Sequence, residues 1–428
     1  MKHLLTSIRG STFAGHILTL FTGTFLAQLV PFLVAPFLAR LYDPADFGIL
    51  SLFMSAIAIF GVIAGLRYEF AIVLPARHEE ARQVLNLSLV VAVAMALLSL
   101  LLVLFLGDAM VRLFDAEPLR PFLGFLPLAV LFTGVYQSFN YWSTRHRTFR
   151  RNAAARIAQS MSIGLVSLIL GLFGLGALGL ISGYLLGLLV AAAVLAWVFV
   201  RHPLPWLKAF NRGEMRQQMK RYKSFAYVNS PHALVDSLLD NGIVFVISMA
   251  FGNIVLGWYS WAFRALKVPV SMIGSAVGQV FFERAAAINR ENQSVRPLMW
   301  RIHRNMTAVA LPVFLLILLF GPDIFAFVFS EDFRESGKIA QVLLPWIFLN
   351  YLISPFSNLP ILYNKQPQAL AVTLIDLVLR TLALLYGWSM DNFIVGFTLM
   401  AIASALLSLL VLGWYYRLAG KPVPDAYA

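Results

Sequence analysis

Long apolar runs alternate with short polar connections along the whole chain. A helix crosses the hydrocarbon core of a bilayer with about 20 apolar residues. Twelve runs meet that length, at roughly 15–39, 46–70, 84–106, 120–142, 153–174, 177–200, 224–250, 254–282, 304–321, 339–363, 368–388 and 392–416. The pattern predicts an all-α polytopic membrane protein. Several runs are longer than a crossing needs, so they are expected to tilt, kink or extend into water. Pro31 and Pro36 lie in the first run, Pro231 in the seventh and Pro269 in the eighth. Each removes a backbone donor and is expected to bend its helix. The first run is too long for a cleaved signal peptide, and no small-x-small site follows it.

Lys and Arg in the connections set the orientation. One alternating set of connections holds 24 of them, from Lys2 and Arg9 through Arg145–Arg156 and Arg201–Lys223 to Arg417 and Lys421. The other set holds only Arg40, Arg112, Arg120, Arg334 and Lys338, with ten acids among them. This asymmetry predicts twelve spans with both termini in the cytoplasm. It also accounts for most of the net charge of +13. The basic loops therefore read as topology signals, and no nucleic-acid partner is expected.

The longest polar connection, 201–223, is basic and contains Pro203 and Pro205. It divides the chain into an N-lobe (1–200, helices 1–6), a basic cytoplasmic linker (201–223) and a C-lobe (224–428, helices 7–12) with a short tail. The lobes are weakly alike. Phe37–Phe53 overlays Val246–Ala262 at an offset of 209, so that Tyr42 meets Phe251 and Gly48 meets Gly257. Asn140 meets Asn358 at an offset of 218. Two repeats of six helices predict a parallel duplication with a central site between the halves, of the kind that transports by rocking.

Composition narrows the chemistry. Apolar residues make up 60% of the chain, charged residues 12%, and mean hydropathy is +0.79. A soluble enzyme usually carries about 25% charged residues. There is no Cys, hence no disulfide framework, thiolate metal site or Cys nucleophile. No P-loop and no H-E-x-x-H occurs, and no connection is long enough to hold a catalytic domain. No enzymatic activity, metal or cofactor is expected. Gly183 and Gly187 form a G-x-x-x-G, which reads as close internal packing rather than dimerisation.

Eight ionisable residues remain within the spans: Arg67, Glu69, Asp236, Asp240, Arg264, Lys267, Asp376 and Arg380. One such charge at a helix centre costs about 2.5–3.5 kcal/mol, so each is expected to face the protein interior or a wet cavity. Arg264 and Lys267 are spaced i,i+3 near mid-membrane. Together they offer a planar fork and a point charge suited to phosphate or carboxylate. The competing reading pairs them with Asp236 and Asp240, which are spaced i,i+4 with His232 one turn earlier. Those two acids are equally candidates to carry a coupling proton. Arg67 and Glu69 stand near the cytoplasmic end of helix two, where they line a cavity or snorkel to the interface. Asp376 and Arg380, also i,i+4, either pair with each other or contribute to ion coupling (Asp376) and substrate binding (Arg380). Asn140 and Asn358 are candidates to meet sugar hydroxyls, or else bond between helices.

The strings LYDPADFGILSLF (41–53), GLRYEFAIVLP (65–75) and NIVLGWYSWAFRALKVPVSMIGSAVGQVFFERAA (253–286) resemble the Wzx-type flippases of O-antigen and other polysaccharide repeat units. That family is the polysaccharide branch of the multidrug/oligosaccharidyl-lipid/polysaccharide exporter superfamily. The resemblance spans roughly residues 10–415. It implies a V-shaped exporter fold with two six-helix lobes around a central cationic cavity. It further implies translocation of undecaprenyl-pyrophosphate-linked oligosaccharide from the cytoplasmic to the periplasmic leaflet of the bacterial inner membrane, coupled to a proton or sodium ion. A polysaccharide polymerase and a chain-length regulator are the implied partners, beside membrane lipid. The related lipid II flippases need an Arg in the segment matching WAFRALKVP, where this chain has Arg264. Two other functions fit the pattern of spans: a proton- or sodium-coupled multidrug antiporter of the same superfamily, and a membrane-embedded polysaccharide polymerase or ligase.

Overall fold

The computed structural model describes residues 27–113, 116–201, 211–290, 294–363 and 365–420. The first half of span one, residues 202–210 of the linker with both its prolines, and the C-terminal tail lie outside the described residues. So do Lys2, Arg9, Asp115, Lys208 and Lys421, and the side chains of Arg201 and Arg290. The described residues are almost wholly helical. Lipid offers no hydrogen bonds to a backbone, so each crossing segment must satisfy its own amides.

In order, the helices are α1 (Ala27–Leu38), α2 (Pro44–Gly61), α3 (Tyr68–Ala71), α4 (His78–Leu113), α5 (Leu126–Arg145), α6 (Phe149–Leu172), α7 (Gly176–Arg201), α8 (Arg212–Arg221), α9 (Ser230–Arg290), α10 (Arg296–Val328), α11 (Arg334–Ile353), α12 (Leu359–Leu362), α13 (Gln366–Ser389) and α14 (Phe393–Ala419). Ten helical stretches among the described residues are long and apolar enough to cross a membrane. One of them contains α9, whose 61 residues would extend about 92 Å at 1.5 Å per residue, three times a hydrocarbon core of about 30 Å. Its backbone leaves helical dihedrals at Gly252 alone (φ 79°, ψ 177°), a conformation open to glycine. Gly252 therefore separates spans seven and eight. With α1, the described end of span one, the count is twelve.

Three spans differ from their predicted form. Span two does not continue to residue 70: α2 ends at Gly61 and the chain turns before the short α3. Span eight keeps helical dihedrals at Pro269, and the departure falls at Gly252 instead. Span ten stops at Ile353, passes through a tight turn at Ser354–Phe356 and resumes as α12. Pro355 and Pro360 flank that interruption, and neither can donate to a helical ladder.

The described chain forms two compact units, one ending at Ser248 and the other beginning at Met249. The sequence places its division at the basic linker instead. The first arm of α9 packs with the N-terminal unit, where the Ser237 hydroxyl donates to the Ala58 carbonyl of α2 (3.0 Å). The packing boundary thus falls one helix later than the repeat boundary.

Each unit repeats the same devices. In the N-terminal unit Tyr42, at the α1–α2 corner, lies against Gly171 and Gly179 of the α6–α7 hairpin. Its hydroxyl donates to the Ser167 carbonyl (2.6 Å). In the C-terminal unit Phe251, just before Gly252, lies against Gly396 and packs on Phe397. There Gly387 and Gly396 bring α13 and α14 into backbone contact. Before α5, Arg120 pairs with Asp108 (2.8 Å) and Glu117 (3.0 Å). At the start of α11, Arg334 pairs with Asp323 (2.7 Å) and Glu331 (2.5 Å). Gly183 and Gly187 pack on Ser167 and Ile163 of α6, which accounts for that motif within the chain.

The glycine contact gives a prediction. A Cβ on Gly387 would occupy the backbone of Gly396. Overpacking of a tight contact costs about 1–3 kcal/mol. Gly387→Val is therefore expected to lower the yield and melting temperature of detergent-extracted protein. An unchanged melting curve would contradict the contact.

Candidate functional site

Two intramembrane cations of the C-terminal unit, Lys267 and Arg380, meet around Trp346. The second arm of α9 presents Tyr259, Phe263 and Lys267 at i, i+4 and i+8, on one stripe of the helix. α11 answers with Trp346 and Asn350, one turn apart. Phe263 stacks on the indole of Trp346 (centroids 5.9 Å, planes 24° apart), and the Lys267 ammonium donates to Asn350 Oδ1 (2.5 Å). Tyr259 stacks on Phe397 of α14 (5.3 Å). The Arg380 guanidinium of α13 lies 4.3 Å over the Trp346 ring, a cation–π contact worth more once desolvated. Arg380 also pairs with Asp376 one turn away. Ser404 of α14 closes that pair. Its hydroxyl donates to Asp376 Oδ1 (2.7 Å) and accepts from Arg380 Nε (3.0 Å). Arg264 stands on the exposed side of the α9 turn that carries Phe263.

These groups share one depth. At 1.5 Å per residue, Arg264 lies about 18 Å beyond Gly252, Trp346 about 18 Å into α11, and Arg380 about 14 Å from the end of α13. In a hydrocarbon core of about 30 Å all three stand near the middle. The mid-membrane part of this unit therefore holds three cations, Arg264, Lys267 and Arg380, against one carboxylate, Asp376. Asp376 pairs with Arg380, and Lys267 donates to the neutral amide of Asn350. Such an excess suits an anion that offers several oxygens.

The N-terminal unit holds a different arrangement. Leu66 and Arg67 adopt left-handed backbone (φ 44° and 61°), and Arg67 lies 5.0 Å over the Phe70 ring. Phe70 in turn meets Tyr141 of α5 (4.6 Å). Glu69 is 1% exposed, and neither of its carboxyl oxygens has a hydrogen-bond partner among the described residues. Arg145 holds the following loop by donating to the carbonyls of Ile72, Val73, Ala76 and Arg77 at 3.3–3.5 Å.

The remaining predicted residues are dispersed. Asp236 pairs with His232 (3.1 Å) on the first arm of α9 and is half exposed. Asp240, one turn on, is exposed. The backbone carbonyl of Asn140 accepts from Thr144 (2.8 Å) and Asn152 (3.4 Å), and its side-chain oxygen is buried without a partner. Asn358 is exposed at the start of α12. The structure thus joins Lys267 to Arg380 through Phe263 and Trp346, and sets Arg67 beside Glu69. It adds Trp346, Asn350 and Ser404, which the sequence reading omits. The i,i+4 match of Trp346–Asn350 with Phe263–Lys267 carries a readable signal for the first two. Ser404 stands alone in an apolar run and carries none.

Comparison with known proteins agrees with the fold. The inward-facing conformation of a multidrug resistance MATE family transporter of the MOP superfamily superposes with a TM-score of 0.70 at 15% identity, covering 94% of this chain and 96% of that one. The lipid II flippase MurJ in an inward closed conformation gives 0.70 at 14%, covering 94% and 90%. A MOP superfamily transporter from Pyrococcus furiosus gives 0.50 at 13%, covering 96% and 97%. No curated protein matches the chain in sequence. A family model described as polysaccharide biosynthesis protein matches residues 37–338, more than half of the chain. This multi-pass membrane protein, with the fold of MOP-superfamily transporters, therefore belongs to the polysaccharide biosynthesis protein family.

Proposed function

We propose that the protein is a flippase that carries an undecaprenyl-pyrophosphate-linked oligosaccharide from the cytoplasmic to the periplasmic leaflet of a bacterial inner membrane. The observation that carries the reading is the excess of cations at mid-membrane around Trp346. Each such charge costs about 2.5–3.5 kcal/mol to place there, so a site with more cations than carboxylates suits an anionic occupant. The family membership supports a glycan cargo, and the likeness to a lipid II flippase supports a lipid-linked one.

In this account Arg264, Lys267 and Arg380 hold the pyrophosphate or acidic sugars, while Asn140 and Asn358 meet sugar hydroxyls. The prenyl tail stays in lipid throughout. The barrier to crossing is the transfer of a polar headgroup through hydrocarbon, and a hydrated cationic path removes most of it. No covalent step is required. Alternating access resets by antiport of a proton or sodium ion, with Asp236, Asp240 and Asp376 as candidate carriers. A polymerase and a chain-length regulator would receive the product on the far side.

Depletion in the parent bacterium tests the reading. Lipid-linked repeat units are expected to accumulate on the cytoplasmic side while surface polysaccharide disappears. Altered drug resistance with unchanged glycan would point instead to multidrug export on the same fold.

A further inference from the structure

We propose that Glu69 is a proton-binding site, built into the break in span two and coupled to the strained turn beside it. Two independent features meet there. The first is the side chain itself, 1% exposed with both carboxyl oxygens unpartnered among the described residues. An ionised carboxylate left so in a low-dielectric interior costs several kcal/mol, whereas a protonated one does not.

The neighbouring hydroxyls favour the same form. A Cβ built on Gly65 would meet both a carboxyl oxygen of Glu69 and the Ser88 hydroxyl, so these groups crowd one point. The Ser138 hydroxyl donates to the Gly134 carbonyl (2.8 Å), which spends its one proton. In the Ser88–Ser138 bond (2.7 Å) Ser88 must then be the donor. Ser88 has only acceptor capacity left. A protonated Glu69 suits a neighbouring acceptor, and a carboxylate does not.

The second feature is the turn. Leu66 and Arg67 are non-glycine residues in left-handed backbone, a state that costs of order 1–3 kcal/mol each and persists only where the surroundings enforce it. Arg67 is the nearest charge to Glu69. Tyr141 faces the pair from α5, Ser88 from α4, and Tyr227 faces Tyr68 from the turn before α9. Arg145 of α5 is occupied by the loop carbonyls. Loss of the proton would place a carboxylate beside Arg67 in a sealed site. Only an opening of the 62–67 turn relieves that, by admitting water or bringing the guanidinium across.

The proposal rests on the flippase reading only where the proton is taken as the coupling ion, and its test needs no glycan. The full-length protein is reconstituted in phosphatidylethanolamine–phosphatidylglycerol liposomes and titrated under infrared difference spectroscopy. A protonated-carboxyl C=O band is expected at neutral pH and is lost in Glu69→Gln, whereas Asp240→Asn retains it. In the Cys-free chain, maleimide labelling of Ile63→Cys, divided by its rate in denatured protein at the same pH to remove the thiol's own ionisation, is expected to accelerate several-fold with rising pH, and to lose that dependence when Glu69→Gln is added. A Glu69→Gln spectrum identical to the parent's would overturn the proposal. So would a band abolished by sodium at constant pH, or labelling equally pH-dependent in both backgrounds.

Discussion

Asp376→Ala is expected to destabilise the protein severely, and Asp376→Leu with Arg380→Met to restore most of what is lost. Arg380 and Asp376 keep only 24% and 19% of their side-chain surface, inside the triangle of α13, α14 and Trp346. Removing one partner of a buried pair leaves an uncompensated charge and costs about 3–5 kcal/mol. The residual exposure puts this pair toward the lower end. Ser404 and the Trp346 face solvate the guanidinium only in part. Replacing both charges with apolar groups of similar volume removes the penalty, so the double variant is expected to melt near the parent. It is not expected to export glycan, because a cation and its counter-charge leave the site together. A double variant no more stable than Asp376→Ala would show that the pair does not act as a unit.

The opposite dissociation is expected at Arg264. Its side chain is exposed, so Arg264→Ala leaves no cavity in the core and is expected to insert and accumulate like the parent. Each hydrogen bond to a charged group contributes about 1.5–3 kcal/mol, which corresponds to roughly 10- to 150-fold in export of the glycan. Arg264→Lys keeps the charge and loses the planar fork, so it is expected to recover only part of that. Surface polysaccharide, measured beside the amount of membrane-inserted protein, separates the two effects. Full export by Arg264→Ala would remove this residue from the site.

The spans were readable because hydrocarbon thickness writes itself directly into apolar length. The duplication was readable at one point in particular. The offset that sets Tyr42 on Phe251 also sets Asp43, which precedes α2, on Gly252, which divides α9. The same offset therefore marks both helix corners and both glycine-packed aromatics. Interruptions within apolar runs were not readable, since hydropathy averages over them. Span two breaks after Gly61 amid apolar residues, and the loop that follows α3 is held by a group distant in sequence, Arg145. Span ten carried a clearer signal in Pro355 and Pro360, which its overall hydropathy masked.

Chemistry was legible in kinds and less so in partners. The cost of burying charge singles out Arg264, Lys267, Asp376 and Arg380 from sequence alone. That Lys267 meets Asn350, and Arg380 meets Trp346 and Ser404, depends on packing among α9, α11, α13 and α14, up to 83 positions apart in the chain. Asn140 and Asn358 align in the repeat, yet one lies within a continuous helix and the other at a helix start.

The most direct measurement is translocation by the purified protein. Liposomes carrying undecaprenyl-pyrophosphate-linked oligosaccharide are treated from outside with a membrane-impermeant glycosidase, with and without the reconstituted chain. The account predicts that the protein makes the inner-leaflet pool accessible, and that Arg264→Ala leaves it protected. An inner pool equally protected in liposomes with the parent protein and in liposomes with none would contradict the account.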